Sequence, residues 1–509
     1  MRRWIWLAVT AMLAVTQPAM AETGPGNAPA KVSDDEMAVR SGLQDAIVEL
    51  DIRDAKGAEA DLAALVAGTS FPKASAATQA RVLYMLGVCE NINQEPEAAF
   101  AHLSDAGRLD PSIRNQFYWL EVARVDYKLD KAADIGDALT GAIAAEPDMA
   151  DNISPGLLYE MLRRMETLKD GGAHRRPVLE ALWKINYDPA GDPTAAESLR
   201  VDLFEIYADA GEDAKARTLL PTFGDPDTVI ALRADNRYRK YILDDPDFSD
   251  FKAVQDRHIT ALHTRQASGG LPYAEALAQA LQHANRLPEA LKVVDDALLL
   301  GDLAPNTGGD DKTKWLLDTR TRILALMGRW DEVEAAQIKA RDTALLEGVD
   351  LVSQKLNLAD LYNRLGRPQD ALTELTDLSS DKASIYGQMT AEQVRACAYA
   401  AMGDKAKLEA ALATLRSHSG EAAGPLASAL VCADDEDGLA TLIIARLDDP
   451  DQRVSELLTD QAYLPAPHPT AADALYASRM SKVLKRPDVQ AAIARYGVVE
   501  SYPAFAPDN

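Results

Sequence analysis

Between Ala80 and Ile113 the chain sets Leu83, Leu86, Gly87, Ala99, Leu103, Ala106 and Pro111 at positions four, seven, eight, twenty, twenty-four, twenty-seven and thirty-two of a 34-residue stretch. Spacings of three and four put side chains on one face of a helix. Positions seven, eight and twenty are small or aliphatic, as they must be where two antiparallel helices cross closely. Pro111 cannot continue a helix, so it ends the second one and turns the chain. A lone helix pair of this kind buries its core only against a neighbour, so a chain that holds one is expected to hold a series.

The same register can be laid on other segments. From Gln116 it takes Trp119, Val122, Ala123, Leu139, Ala142 and Pro147; from Glu197, Leu203, Tyr207 and Ala216, with Gly211 in the turn. From Leu271 it takes Leu277, Ala278, Ala290 and Ala297; from Val352, Leu358, Ala359, Tyr362, Gly366 and Ala371; from Met389, Ala396, Tyr399, Gly403 and Leu412. A weaker unit starts near Lys314 with Leu317, Leu324 and Gly328. Two starts lie 81 and 74 residues after the preceding one, close to twice a repeat, so divergent helix pairs are expected near Ser154 to Asn186 and Pro226 to Gln266. Over residues 36–450 this pattern resembles the tetratricopeptide repeat (TPR) family. The resemblance implies an all-α fold, a TPR-like helix–turn–helix solenoid. Past Pro450 the register is lost. Pro465, Pro467 and Pro469 break the chain around His468, and Arg486 to Gly497 is similar to the helix that closes bacterial arrays of this family, so residues 451–509 are read as a short C-terminal helical cap.

Composition agrees. Of the residues, 47% are hydrophobic but only 6% aromatic, so the apolar content is largely Ala and Leu, which lose little side-chain entropy in a helix. The formal charge of −26 repels phosphate backbones and anionic lipid, which argues against a nucleic-acid partner. It reads as a solubilising surface, with a cationic partner as the alternative. Arg2 and Arg3, the apolar run Trp4 to Val15 and Ala19-Met20-Ala21 have the form of a secretory signal peptide cleaved after Ala21. The chain is therefore expected in the periplasm or outside the cell, with residues 22–35 as a flexible spacer and helices starting near Ser33. No later run is long and apolar enough for a transmembrane anchor. Cys89, Cys397 and Cys432 are too few for a disulfide-stapled fold. Their expected role is that of small buried apolar residues, with a Cys397–Cys432 bond as the alternative.

A search for chemistry finds no metalloprotease, Walker or nucleophile-elbow motif, and no cofactor motif. His258 and His263, five apart, do not share a helix face and are expected as ordinary surface histidines. Asp434 to Asp437 before Gly438 fails as a calcium loop, because positions one and twelve would be Ala433 and Ile444, and reads as a capping turn. Asp244, Asp245 and Asp247, like Asp448 and Asp449, read as turns at helix ends. The resemblance further implies that positions two, five, nine and twelve of each first helix face a concave groove that holds peptides. Those positions include Tyr84, Asn91, Phe117, Arg124, Tyr127, Gln279, Gln282, Arg322, Asp360 and Asn363. None of the repeats carries the Lys at five and Asn at nine with which chaperone adaptors of this family clamp a C-terminal carboxylate. The expected function is thus a non-catalytic periplasmic scaffold that binds a protein or peptide. A structural subunit of an envelope assembly or export machine is the alternative, and a cell-wall-acting enzyme a further one.

Overall fold

The fold is taken from a computed structural model that describes residues 32–51, 54–147, 153, 155–166, 168, 171–189, 194–269, 271–303, 312–347, 351–376, 378 and 383–507. The expected signal peptide, and the spacer before Val32, lie outside the described residues. Among those described, the chain is helices and turns, with two isolated β-bridges, Asp235 with Gly497 and Ala462 with Ser501. None of the described helices is long and apolar enough to cross a membrane. Two compact units divide the chain, Met1–Pro189 and Ala190–Asn509.

The first unit holds α1 (Asp34–Asp51), α2 (Ala55–Ala67), α3 (Ala76–Ile92), α4 (Pro96–Leu109), α5 (Gln116–Lys128), α6 (Ala132–Ala145), α7 (Pro155–Glu166) and α8 (Gly171–Lys184). Ser33 starts α1 as expected, its Oγ accepting from Glu36 N at 3.1 Å. Each helix packs on the next in chain order, α3 on α4 and α5 on α6 most extensively. The pattern read from the sequence is the buried one: Leu83, Leu86, Ala99, Leu103 and Ala106 are all in the core. Gly87 marks the crossing of α3 and α4, where an added Cβ would lie 2.9 Å from Leu103 Cγ and 3.1 Å from the Ala99 carbonyl oxygen. The expected pair over Ser154 to Asn186 is α7 with α8.

The second unit continues the scheme with α9 (Ala195–Asp209), α10 (Asp213–Leu219), α11 (Pro226–Ala234), α12 (Arg239–Leu243), α13 (Phe251–Gly269), α14 (Leu271–His283), α15 (Leu287–Leu303), α16 (Lys312–Leu326), α17 (Trp330–Glu347), α18 (Val352–Arg364), α19 (Pro368–Glu374), α20 (Ile385–Met402), α21 (Lys405–Ser417), α22 (Ala423–Ala433), α23 (Glu436–Asp448), α24 (Pro450–Thr459), α25 (Ala471–Leu484) and α26 (Pro487–Tyr496). The expected pair over Pro226 to Gln266 is instead three helices. Asp235 is buried at the first break, and Asp245 with Pro246 makes the second. In the turns between paired helices one residue takes the left-handed conformation that ends a helix: Gly211, Gly328, Gly366 and Gly403 have φ of 72° or 73°, and Asn285 and Asp434 do the same without glycine. Leu203, Ala216, Leu277, Ala290, Leu324, Leu358, Ala371, Ala396 and Leu412 are buried as the register requires. The fold is therefore an all-α, TPR-like helical solenoid.

The cysteine expectation is corrected. Cys397 on α20 and Cys432 on α22 form a disulfide with Cα atoms 5.1 Å apart. These are first helices of successive pairs, which stack side by side, so residues about one repeat apart meet. Closing a loop of 35 residues stabilises the fold by about 3–4 kcal/mol on the chain-entropy account. Cys89 is free and buried, and burial pushes its thiol up to about 12.

The last helices do more than cover the end of the array. α26 lays Val489, Ala492 and Ile493 against α23, but α24 packs on α11, which precedes it by more than two hundred residues. α25 packs on α18, α22 and α23. The acidic turn at 434–437 is the landing site for α25. Asp435 caps α23 by accepting from Gly438 N, as expected, while Asp434 pairs with Arg479 at 3.0 Å, Glu436 with Lys482, and Asp437 with Arg486 at 2.6 Å. The second unit thus closes on itself.

A bulky residue at Gly87 has no room because the neighbour is partly backbone. Gly87→Val is expected to destabilise the first unit by about 3 kcal/mol, the upper range for overpacking, read as a lowered urea midpoint with the slope unchanged.

Candidate binding surface of the second unit

Three cavities are found among the described residues of the second unit, and α25 or the residues that follow α26 border two of them. The largest, about 490 Å3, lies among α18, α20, α22 and α25 and is lined by Asp360, Asn363, Arg364, Gln393, the Cys397–Cys432 disulfide, Ser428, Leu475, Tyr476 and Arg479. A second, about 280 Å3, is lined by Gln282, Arg322, Trp330, Arg364, His468, Asp473 and Phe505. Arg364 and Asp473 border both, so their ion pair is the wall between them. Arg364 donates from Nε and Nη2 to the two Asp473 oxygens at 2.9 and 3.2 Å, and lies 5.5 Å over the Trp330 ring. The third cavity, about 90 Å3, is lined by Asp225, Asp227, Gln255, His258, Gln279 and His283.

Desolvation and the Arg364 guanidinium act in opposite directions on the carboxyl groups of the largest cavity. Burial raises the Asp360 carboxyl above its ordinary range, with Arg364 opposing. Burial also works to raise Asp473, but Arg364 and the Thr470 cap outweigh it and hold that carboxyl below the usual range. Asn363 Nδ2 donates to the Val394 carbonyl at 2.8 Å, whereas its buried Oδ1 has no hydrogen-bond partner among the described residues. Tyr476 approaches Ser428 Oγ at 3.4 Å, and Leu475 leaves half its surface exposed beside the cavity. The chamber therefore combines an apolar floor with two arginines already held in place, Arg364 by Asp473 and Arg479 by Asp434 and the Val431 and Cys432 carbonyls.

All five groove positions read from the sequence in this unit line a cavity. Gln279 lines the smallest, Gln282 and Arg322 the second, and Asp360 and Asn363 the largest. Arg322 donates to Asp318 at 2.6 Å and to Thr319 at 3.1 Å.

The five in the first unit are placed differently. Tyr84 and Asn91 are core residues, 2% and 5% exposed. Asn91 donates to Glu121 Oε1, and Arg124 donates to Glu121 Oε2 at 3.4 Å. Phe117 and Tyr127 are half-buried, and Arg164 lies 4.3 Å over the Tyr127 ring.

Two further expectations meet the structure. His263 is exposed, but His258 is not a surface histidine: it is half-buried in the smallest cavity, where burial pushes its imidazole down. Among the described residues no group of three His, Cys, Asp or Glu is placed to hold a metal. Sequence reading missed Arg364, Asp473, Tyr476 and Arg479. One signal was present for the last: Arg479, Lys482 and Arg486 fall at i, i+3 and i+7, a basic stripe able to meet an acidic turn.

No family model and no curated protein matches the chain. Among solved structures, Naa15/Naa10 bound to HypK-THB aligns at 13% identity, covering 89% of this chain and 90% of that one, with a TM-score of 0.28. The human IFIT1 dimer with m7Gppp-AAAA aligns at 13% identity over 91% and 96%, with a TM-score of 0.32. At those scores the likeness carries nothing about function.

Beside the smallest cavity, Glu197 accepts from Gly224 N and Asp225 N at 3.0 Å, yet burial pushes its carboxyl up to about 7. Burial likewise raises Glu205 to about 8. Between the ordinary value of 4.5 and these raised ones, the folded chain keeps protons that the unfolded chain has released. Their contribution is therefore present in acid and lost as pH rises through the raised values. The urea midpoint of the second unit is expected to fall between about pH 5 and pH 8, and the Glu197→Gln/Glu205→Gln pair to flatten that fall.

Proposed function

We propose that the chain is a non-catalytic, exported binding scaffold of the bacterial envelope that holds a protein or peptide partner on the inner surface of its second unit. The observation that supports this most is the 490 Å3 cavity, bordered by first-helix positions of successive repeats, Asp360 and Asn363 on α18 and Gln393 and Cys397 on α20. Its mixture of an apolar floor and polar side chains, arginines among them, suits capture of a side chain or short peptide segment, which needs burial for affinity and a few polar groups for orientation. The disulfide between α20 and α22 holds that floor rigid and is compatible with an oxidising compartment. Rigidity lowers the ordering cost of binding.

The test is an affinity capture from envelope extract with the chain from residue 22 onward. Ala401, which is exposed and lines the cavity, is changed to Trp to fill its mouth. A protein retained by the wild-type chain and at least ten-fold depleted with Ala401→Trp, at unchanged helicity, supports the reading. Equal retention by both moves the binding surface elsewhere, and no specific retention at all contradicts a scaffold role.

A further inference from the structure

The residues after α26 run as an irregular strap across helices that precede them by more than two hundred positions. Val498 N donates to the Ala234 carbonyl at 2.9 Å and Phe505 N to that of His283 at 3.0 Å, while Tyr502 N donates at 2.9 Å to Ala462 in the loop between α24 and α25. Side chains anchor the strap at three points. Arg233 on α11 and Arg239 on α12 converge on the Glu500 carboxylate, Arg233 Nε at 2.6 Å. Tyr502 is buried edge-on against Phe251, ring centroids 5.0 Å apart. Phe505 is buried in the cluster that contains Leu277, Leu281 and Leu316, and borders the 280 Å3 cavity.

This is how an extended peptide is bound: main-chain hydrogen bonds hold the backbone, and separate pockets take alternate side chains. The strap carries no intrahelical hydrogen bond, so lifting it unwinds no helix. What it would uncover is a strip of apolar floor beside two arginines that meet on a single acid, in a chain whose formal charge is −26. Two guanidiniums left facing each other without an anion repel and are poorly solvated, so the strip is unstable when empty and selects a carboxylate.

The geometry points to Val498–Phe505 as an internal ligand, displaced by an extended peptide of a partner protein that carries an acidic residue followed by aromatic residues two and five positions later. This rests on the reading of the second unit as a binding scaffold, and it names the partner's chemistry. Glu500, Tyr502 and Phe505 set that spacing. The strap then acts as a guard that keeps the strip covered until a better ligand arrives. A displaceable occupant lowers the apparent affinity for any competitor by the fraction of time it stays bound.

The experiment uses the chain from residue 22 onward and a labelled synthetic peptide of residues 497–507, followed by fluorescence anisotropy. Glu500→Lys in the protein repels Arg233 and Arg239 and frees the strip while leaving the strip's own residues intact. The peptide is expected to bind this variant at least ten-fold more tightly than wild type, with affinity lost when the peptide carries the same Glu→Lys change. Equal binding to both proteins, or none to either, overturns the inference, as does a Glu500→Lys protein that dimerises by exchanging straps. Should that variant fail to fold, amide exchange on wild type decides. The Tyr502 and Phe505 amides are expected to exchange at least a hundred-fold faster than those of buried α18 residues such as Leu358, and equal rates would make the strap part of the core. A partner captured through the 490 Å3 cavity but indifferent to the strap would sink this inference and leave the scaffold reading standing.

Discussion

Everything in this molecule depends on the close crossing of two antiparallel helices joined by a short turn. Gly87 lying against Leu103 and the Ala99 carbonyl shows the constraint at its tightest: backbone approaches side chain with no space for a methyl group. Once such a pair forms, its remaining apolar face has to be covered by the next pair, and the array grows by the same contact. The left-handed residue in these turns, glycine in some and Gln94, Asn or Asp in others, is the local condition that lets the second helix double back.

A stack of this kind has an unsatisfied face at its end, and in the second unit that face is met by more than a cap. α24 reaches α11, α25 settles on an acidic turn through Arg479 and Lys482, Arg486 at the start of α26 joins them there, and the strap that follows returns to Ala234 and His283. Closure supplies a wall to the two larger of the described cavities. The Arg364–Asp473 pair stands between the two larger ones, joining residues 109 apart in sequence. Both side chains stay partly exposed there, 39% and 23%, so the pair's worth lies less in net stability than in fixing where α25 sits.

The repeat was legible because its signal is local. Helical spacing of Leu83, Leu86, Ala99 and Leu103, glycine at Gly211, Gly328, Gly366 and Gly403, and acids next to proline at Asp449-Pro450 each dictate a nearby conformation, and each is found. The inner positions of the second unit, Gln279, Gln282, Arg322, Asp360 and Asn363, could be named from register alone. What surrounds them could not. The partners of Arg364 and Glu500 are separated from them by 109 and 261 residues, and an irregular strap has no periodicity to betray where it will lie. The Cys397–Cys432 bond follows from stacking of successive first helices, a relation that spacing near one repeat permits without requiring. His258 looked like a surface residue because α11, α12 and α13 do not follow the repeat.

The most direct measurement places a photo-crosslinking amino acid at Leu475, half-exposed beside the 490 Å3 cavity, and in parallel at Leu346, which is 88% exposed and lines none of the described cavities. Each protein is irradiated in envelope extract. If the inner surface of the second unit is the binding surface, Leu475 yields a discrete adduct with one envelope protein and Leu346 yields none. Adducts of the same identity and yield from both positions, or from Leu346 alone, would contradict it.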